Sequence, residues 1–135
     1  MRKKVRYSRK HKQPKGNAEV DSLMKRIGFD NSESDLIIQA LTHPSYTFEN
    51  PLAGVENNQR LEFLGDAILD FVIGEYLYLN YPHKPEGELT KMRAAVVNET
   101  TLARRGKNID LGKALFLGKG EQLTGGRERP SIIAD

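Results

Sequence analysis

Four carboxylates, Glu62, Asp66, Asp70 and Glu75, recur at spacings of four and five through "RLEFLGDAILDFVIGEYLYLNYPH", residues 60–83. The stretch is largely apolar, and no Lys or Arg falls between Leu61 and His83. On a helix turning roughly 100° per residue, Glu62, Asp66 and Asp70 share an arc of about 80°, with Gln59 inside it. Leu61, Leu64 and Ile68 flank the arc on one side; Phe63, Ala67 and Phe71 flank it on the other. A helix that is apolar all round is expected to be buried, so the acidic stripe should face a cleft or another buried element. Carboxylates withdrawn from water repel one another and lose hydration, so they need cations or protons. Hard divalent ions meet that need, because they prefer oxygen ligands and accept several carboxylates at once. Arginines from another element, or plain exposure to solvent, would meet it too. Spacing alone does not choose.

The elements that must position these residues read as helices. No alternation of apolar and polar residues runs longer than about four, so an all-α fold is expected. Val20, Leu23, Met24 and Ile27 give one face of a short helix over 19–28, stopped near Gly28. Ser32 and Asp35 make a capping-box pattern ahead of "LIIQALTH", a second helix that Pro44 ends. Residues 46–55 read as a loop. The acid-bearing helix spans about 58–80 and is closed by "YPHKP". Another follows over 88–98, with Leu89, Met92, Ala95 and Val96 on one side, and a further one over roughly 99–106. The five glycines of residues 109–129 predict a loop with at most one helical turn. Pro130 suits the first position of a new helix, "PSIIAD", where its missing N–H costs nothing. Six residues are marginal as a helix alone, so the sequence reads as cut short.

The letters around the stripe are more specific than its spacing. "NNQRLEFLGDAIL" resembles the signature of ribonuclease III, the family of metal-dependent double-stranded RNA endonucleases. "ALTHPSY" at 40–46, "PEGELTKMRAAVVNETTLA" at 85–103 and "LGKGEQLTGGRERPSIIAD" at 117–135 resemble its other recurrent blocks, in the same order. The resemblance covers about residues 19–135. It implies that Glu62 is a metal ligand, that Asp66 is a catalytic carboxylate beside the metal and its water, and that Asp135 joins them from a distant helix. Glu86 then corresponds to an acid at the edge of the cleft. Gln59 stands where the family usually has glutamate; an amide keeps hydrogen bonding but adds no charge, so altered RNA binding is expected there. The family also places an essential acid at position 138, beyond this sequence, so the chain by itself is expected to be impaired. The double-stranded RNA-binding domain that bacterial members usually carry is not in it.

Taken together, the resemblance implies an endoribonuclease that hydrolyses double-stranded RNA to 5′-phosphate and 3′-hydroxyl ends. Mg²⁺ is the expected cofactor, with Mn²⁺ as a substitute. Processing of ribosomal, messenger and transfer RNA precursors in the cytoplasm is the expected setting. A homodimer is expected, with an aromatic residue near Phe63 inserted into the partner. The alternative is a catalytically impaired module of the same fold that holds RNA or protein. A metal-storing helical bundle would need a Glu-x-x-His pattern that is missing here.

Charge supports a polyanionic partner. Residues 1–18 hold eight Lys or Arg and no acid, which leaves thirteen basic and eighteen acidic side chains, a net of −5, in the other 117. Such an arm displaces counterions from phosphates; a solvated tail has the same composition. Lys119, Arg127 and Arg129 are the further candidates for RNA backbone contact. Gly118, Gly120, Gly125 and Gly126 could present backbone N–H groups to phosphate, or simply make turns. His43 could be a general base, or a helix-end histidine beside a proline. The chain has no cysteine, so disulfides are excluded, and acids interrupt its longest apolar stretch too often for a membrane span.

Overall fold

The acid-bearing segment does form one long helix, packed chiefly against the helix that follows it in the chain. A computed structural model of the chain describes residues 18–29 and 34–135. The helices are α1 (Ala18–Ile27), α2 (Ser34–Ala40), α3 (Pro44–Glu49), α4 (Gln59–Asn80), α5 (Glu86–Val96), α6 (Glu99–Asn108), α7 (Leu111–Ala114), α8 (Lys119–Leu123) and α9 (Pro130–Ala134), with a 3-10 turn at Gly126–Glu128. The fold is all-α among the described residues. Its one β-type contact is an isolated bridge between Thr42 and Phe116. No described helix is long and apolar enough to cross a membrane.

The core lies at the junction of the short helices. Val20, Leu23 and Met24 of α1 meet Ile38 and Leu41 from α2 and its end, Ala114, Leu115 and Leu117, and Ile132 of α9. Ile27, read from the sequence as part of the α1 face, is instead exposed. The bridge ties the two halves of this core together. His43 N–H donates to the Phe116 carbonyl at 3.0 Å and Phe116 N–H to the Leu41 carbonyl at 2.8 Å. Thr42 between them is wholly buried, and its hydroxyl donates to the Ile38 carbonyl at 2.6 Å.

Several boundaries depart from the sequence reading. Pro44 does not merely stop α2; it opens α3 at its first turn, so part of the expected 46–55 loop is helical. A proline just inside a helix start is as good a signal as one just past an end, and only the cap geometry separates the two. The glycine-rich 109–129 segment contains two short helices and a 3-10 turn in place of a single turn. The expected N-cap Ser32 and the basic arm up to residue 17 lie outside the described residues.

The main correction concerns α4. Its apolar surround is not buried within the chain. Leu77 is its one buried residue, whereas Phe63 is 82% exposed and Phe71 66%, with Leu64, Ile68 and Val72 also in solvent. The side turned toward the rest of the chain is the acid-bearing one, where Leu61, Glu62, Leu69 and Ile73 are half-buried. An apolar helix surface can also be covered by another molecule, which a rule about single-chain burial does not anticipate.

Candidate active site

Two elements bring the carboxylates together. The i, i+4 spacing on α4 sets Glu62 and Asp66 one turn apart. Asp135 arrives from the end of α9, which lies against α6 at Gly106. A side chain at Gly106 would run into Ile133 of α9 and stand 3.3 Å from Leu111 Cδ2, so this close approach depends on glycine. Glu62, Asp66 and Asp135 then line one cleft of about 240 Å³, along with Asn58, Leu69 and Leu102.

No lysine or arginine lines this cleft. Its electrostatics follow. Burial raises the Glu62 carboxyl above the usual glutamate range, with repulsion from Asp135 and Asp66 adding to it. Asp135 is raised as well, first by burial, then by Glu99 and Asp66, with His43 acting in the opposite direction. Glu99, in the first turn of α6, was not singled out in the sequence. Its signal was present: an acid at a helix N-terminus in the block preceding the one that ends at Asp135. What the sequence lacked was the packing of α6 against α9.

The donor set suits a hard divalent ion: three oxygen ligands, mutually repelling, with no protein cation among them. The three carboxylates share the cleft without closing on a common point. Among the described residues no group of three or more potential ligands is gathered tightly enough to hold an ion as it stands. An ion would have to draw them in.

The other residues named from the sequence are dispersed. Gln59 is exposed at the start of α4, its N–H donating to Asn57 Oδ1 at 3.2 Å. Glu86 opens α5, where its Oε1 accepts from the Thr90 hydroxyl at 2.7 Å, and it is not among the residues lining the cleft. Asp70 continues the stripe but faces Arg93 of α5, with Nε 4.0 Å from Oδ1, so this acid does have a protein cation.

Arg127 has a job in the fold: its Nη1 donates to the carbonyls of Gly112, Lys113 and Leu115 at 2.8, 3.2 and 2.8 Å. Arg129 pairs with Glu121 and donates to the Thr124 hydroxyl at 3.2 Å. Lys119 stands exposed at the start of α8. Of the glycine amides proposed for phosphate, those of Gly118, Gly120 and Gly125 are already occupied. Glu49 accepts from Lys119 N–H at 2.7 Å and Gly120 N–H at 3.2 Å, and the Ser45 hydroxyl accepts from Gly118 N–H at 2.9 Å. Gly125 N–H donates to the Gln122 carbonyl at 3.1 Å. A Cβ at Gly118 would lie 2.7 Å from the Ser45 carbonyl oxygen, which explains glycine there without any phosphate.

The arrangement has known counterparts. The family model described as Ribonuclease-III-like matches residues 33–135, most of the chain. The chain belongs to the ribonuclease-III-like family. Ribonuclease 3 of Pelotomaculum thermopropionicum is 49% identical over 122 residues, covering 90% of this chain and 51% of that protein. Ribonuclease 3 of Heliobacterium modesticaldum is 54% identical over 113 residues, covering 84% of this chain and 48% of that one. The chain thus spans about half the length of the curated relatives it matches. Among solved structures, a nuclease domain of ribonuclease III from Campylobacter jejuni superposes with a TM-score of 0.77 at 39% identity. That match covers 85% of this chain and 76% of the other, whose structure is described in terms of flexibility in a region involved in dimer formation.

Proposed function

We propose that the chain is the nuclease part of a ribonuclease III that hydrolyses double-stranded RNA with Mg²⁺, leaving 5′-phosphate and 3′-hydroxyl ends. The observation that carries this reading is the shared cleft of Glu62, Asp66 and Asp135, free of lining cations, in a member of this family. Mn²⁺ is the expected substitute metal, and RNA precursors in the cytoplasm are the expected substrates. A bound divalent ion would supply a water of lowered pKa and a positive charge for the phosphodiester oxygens.

The chain's own residues then have distinct tasks. Glu62, Asp66 and Asp135 would hold the ion. Burial and like charge disfavour the ionised forms of Glu62 and Asp135, an opposition that a bound cation would relieve. Lys119 is the best placed of the three candidate cations for an RNA phosphate, since Arg127 is engaged with backbone carbonyls and Arg129 is paired with Glu121. The exposed apolar side of α4, with Phe63 at its start, would be covered by a second copy of the chain. Such a homodimer presents two clefts to the two strands of an A-form duplex, recognised chiefly by shape and 2′-hydroxyls. Glu86 and Gln59 would lie toward the approaching RNA and affect binding more than chemistry.

The test is cleavage of one duplex RNA with saturating Mg²⁺ by a protein extended through a complete last helix, so that the family's acid at position 138 is present. Glu62→Gln and Asp66→Asn should each lower the rate at least about a hundredfold, several kcal/mol of barrier, while duplex binding persists. Full activity in either variant would remove that residue from the site. Duplex binding without cleavage in the unsubstituted protein would favour an RNA-holding module.

A further inference from the structure

Among the described residues the buried polar side chains are Gln39, Thr42 and Asn58. Two of them are bonded. Gln39 Nε2 donates to Glu56 Oε2 at 3.3 Å and to the Asn57 carbonyl at 3.2 Å, and the Thr42 hydroxyl donates to the Ile38 carbonyl. Asn58 is only 6% exposed, yet its side-chain amide has no hydrogen-bond partner among the described residues. Asparagine is a favoured N-cap because its side chain accepts from the first N–H groups of a helix. Asn58 is the N-cap of α4 and does not cap it; Asn57 Oδ1 takes the Gln59 N–H instead. A buried amide without a partner costs free energy unless something else meets it.

The backbone sets Asn58 in line with the acids. Its N–H donates to the Thr42 carbonyl at 2.9 Å, and its carbonyl accepts from Glu62 N–H at 2.8 Å in the first turn of α4. With φ −83° and ψ −7° its backbone is already close to helical. Asn58, Glu62 and Asp66 therefore follow one another at i, i+4 and i+8 along one side of the helix, and all three line the cleft with Asp135. The amide is not sealed in, and the open space beside it is that cleft. Gln59, the amide that the sequence put on the stripe, is exposed and does not line it.

We propose that Asn58 is a fourth residue of the metal cleft, its Oδ1 supplying a neutral oxygen to the divalent ion of Glu62, Asp66 and Asp135, directly or through a bound water. Hard divalent ions accept amide carbonyls beside carboxylates, and Mg²⁺ commonly keeps waters between itself and the protein. A neutral oxygen suits this cleft in particular. Three carboxylates without a lining cation already repel one another, and a fourth charge would add to that opposition, whereas an amide adds a ligand and no charge. The role rests on the metal-site reading above and extends it by one residue.

Mn²⁺ titrations and metal-free thermal melts of the 135-residue chain test this. Asn58→Leu keeps the shape of the side chain and removes both polar atoms. With no hydrogen bond to lose, it should melt at least as high as the unsubstituted chain without metal, while Mn²⁺ affinity falls about tenfold or more. Asn58→Asp keeps an oxygen and adds a charge, so it should melt lower without metal at neutral pH and bind Mn²⁺ more tightly. Unchanged Mn²⁺ affinity in Asn58→Leu overturns the role. So does a melting temperature that drops together with affinity, which would mark the amide as part of the fold. Weaker Mn²⁺ binding by Asn58→Asp overturns it too, by showing that the amide serves the carboxylates as a hydrogen-bond donor. If the unsubstituted chain binds no Mn²⁺, the metal reading fails and takes this role with it; binding that ignores Asn58 removes the role and leaves that reading standing.

Discussion

Glu62 and Asp135 carry an electrostatic conflict that the metal-free chain must tolerate. Both hold protons more tightly in the fold than an ordinary carboxyl does, because burial and like charges disfavour their ionised forms. A carboxyl whose folded pKa lies above its unfolded value destabilises the fold once pH rises past the unfolded value. The penalty is complete above the folded pKa and is relieved as pH falls through it. Metal-free Glu62→Gln should therefore melt higher than the unsubstituted chain at neutral pH, with the advantage shrinking as pH drops through the raised carboxyl pKa. Asp110 has the opposite sign, held low by Lys113 and Arg26, but it is common to both proteins and cancels in the difference. Adding Mg²⁺ or Mn²⁺ should stabilise the unsubstituted chain more than the variant. Thermal melts at several pH values, with and without metal, check this. A Glu62→Gln protein that is less stable at neutral pH would show that the carboxylate is paired rather than repelled.

Among the elements, α9 has the most demanding placement. It is five residues long, too short to be stable by propensity, and it delivers Asp135 to a cleft built mainly on α4. Burial of Ile132 and Ile133 and the bare surface of Gly106 hold it in place. Gly106→Ala should push α9 outward and cost about 1–3 kcal/mol, as overpacking a filled core usually does. The same change should weaken metal binding, since Asp135 rides on the displaced helix. Denaturant midpoints combined with a Mn²⁺ titration test both halves. Unchanged stability would mean that Ile133 can turn aside without loss.

For the whole molecule, one described surface and one stretch of sequence point to partners. The apolar side of α4 is too extensive to be incidental, with Phe63 82% exposed at its start. Phe63→Asp should convert a dimer to a monomer in sedimentation experiments while leaving the helical circular-dichroism signal intact. An unsubstituted protein that is monomeric at high micromolar concentration would remove the second copy from the proposal. The sequence adds charge: eight basic residues without an acid precede α1. Removing residues 1–17, which leaves α1 whole, should flatten the plot of log affinity against log salt for duplex RNA. The slope is about −0.9 for each phosphate neutralised on B-form DNA, and its scaling with contact number carries over to other duplexes. An unchanged slope would show that the arm does not reach RNA.

The all-α class, the long acidic helix and the start of α9 at Pro130 were legible in the sequence. Each rests on short-range rules: periodicity, proline geometry and the spacing that puts residues four apart on one side of a helix. The resemblance also picked out Glu62, Asp66 and Asp135, because their letters stand in specific blocks. Which acids share a cleft is a long-range fact. The meeting of Asp135 with α4, the influence of Glu99, and the engagement of Arg127 with three carbonyls all depend on packing between segments far apart in the chain. The same holds for α4 as a whole. Its apolar pattern says that the surface must leave water, but the pattern cannot say whether the chain's own core covers it. Tertiary structure decided that point by turning the side that bears Glu62 and Leu69 toward the chain and leaving Phe63 outside, since one helix has only one side to offer the rest of its chain.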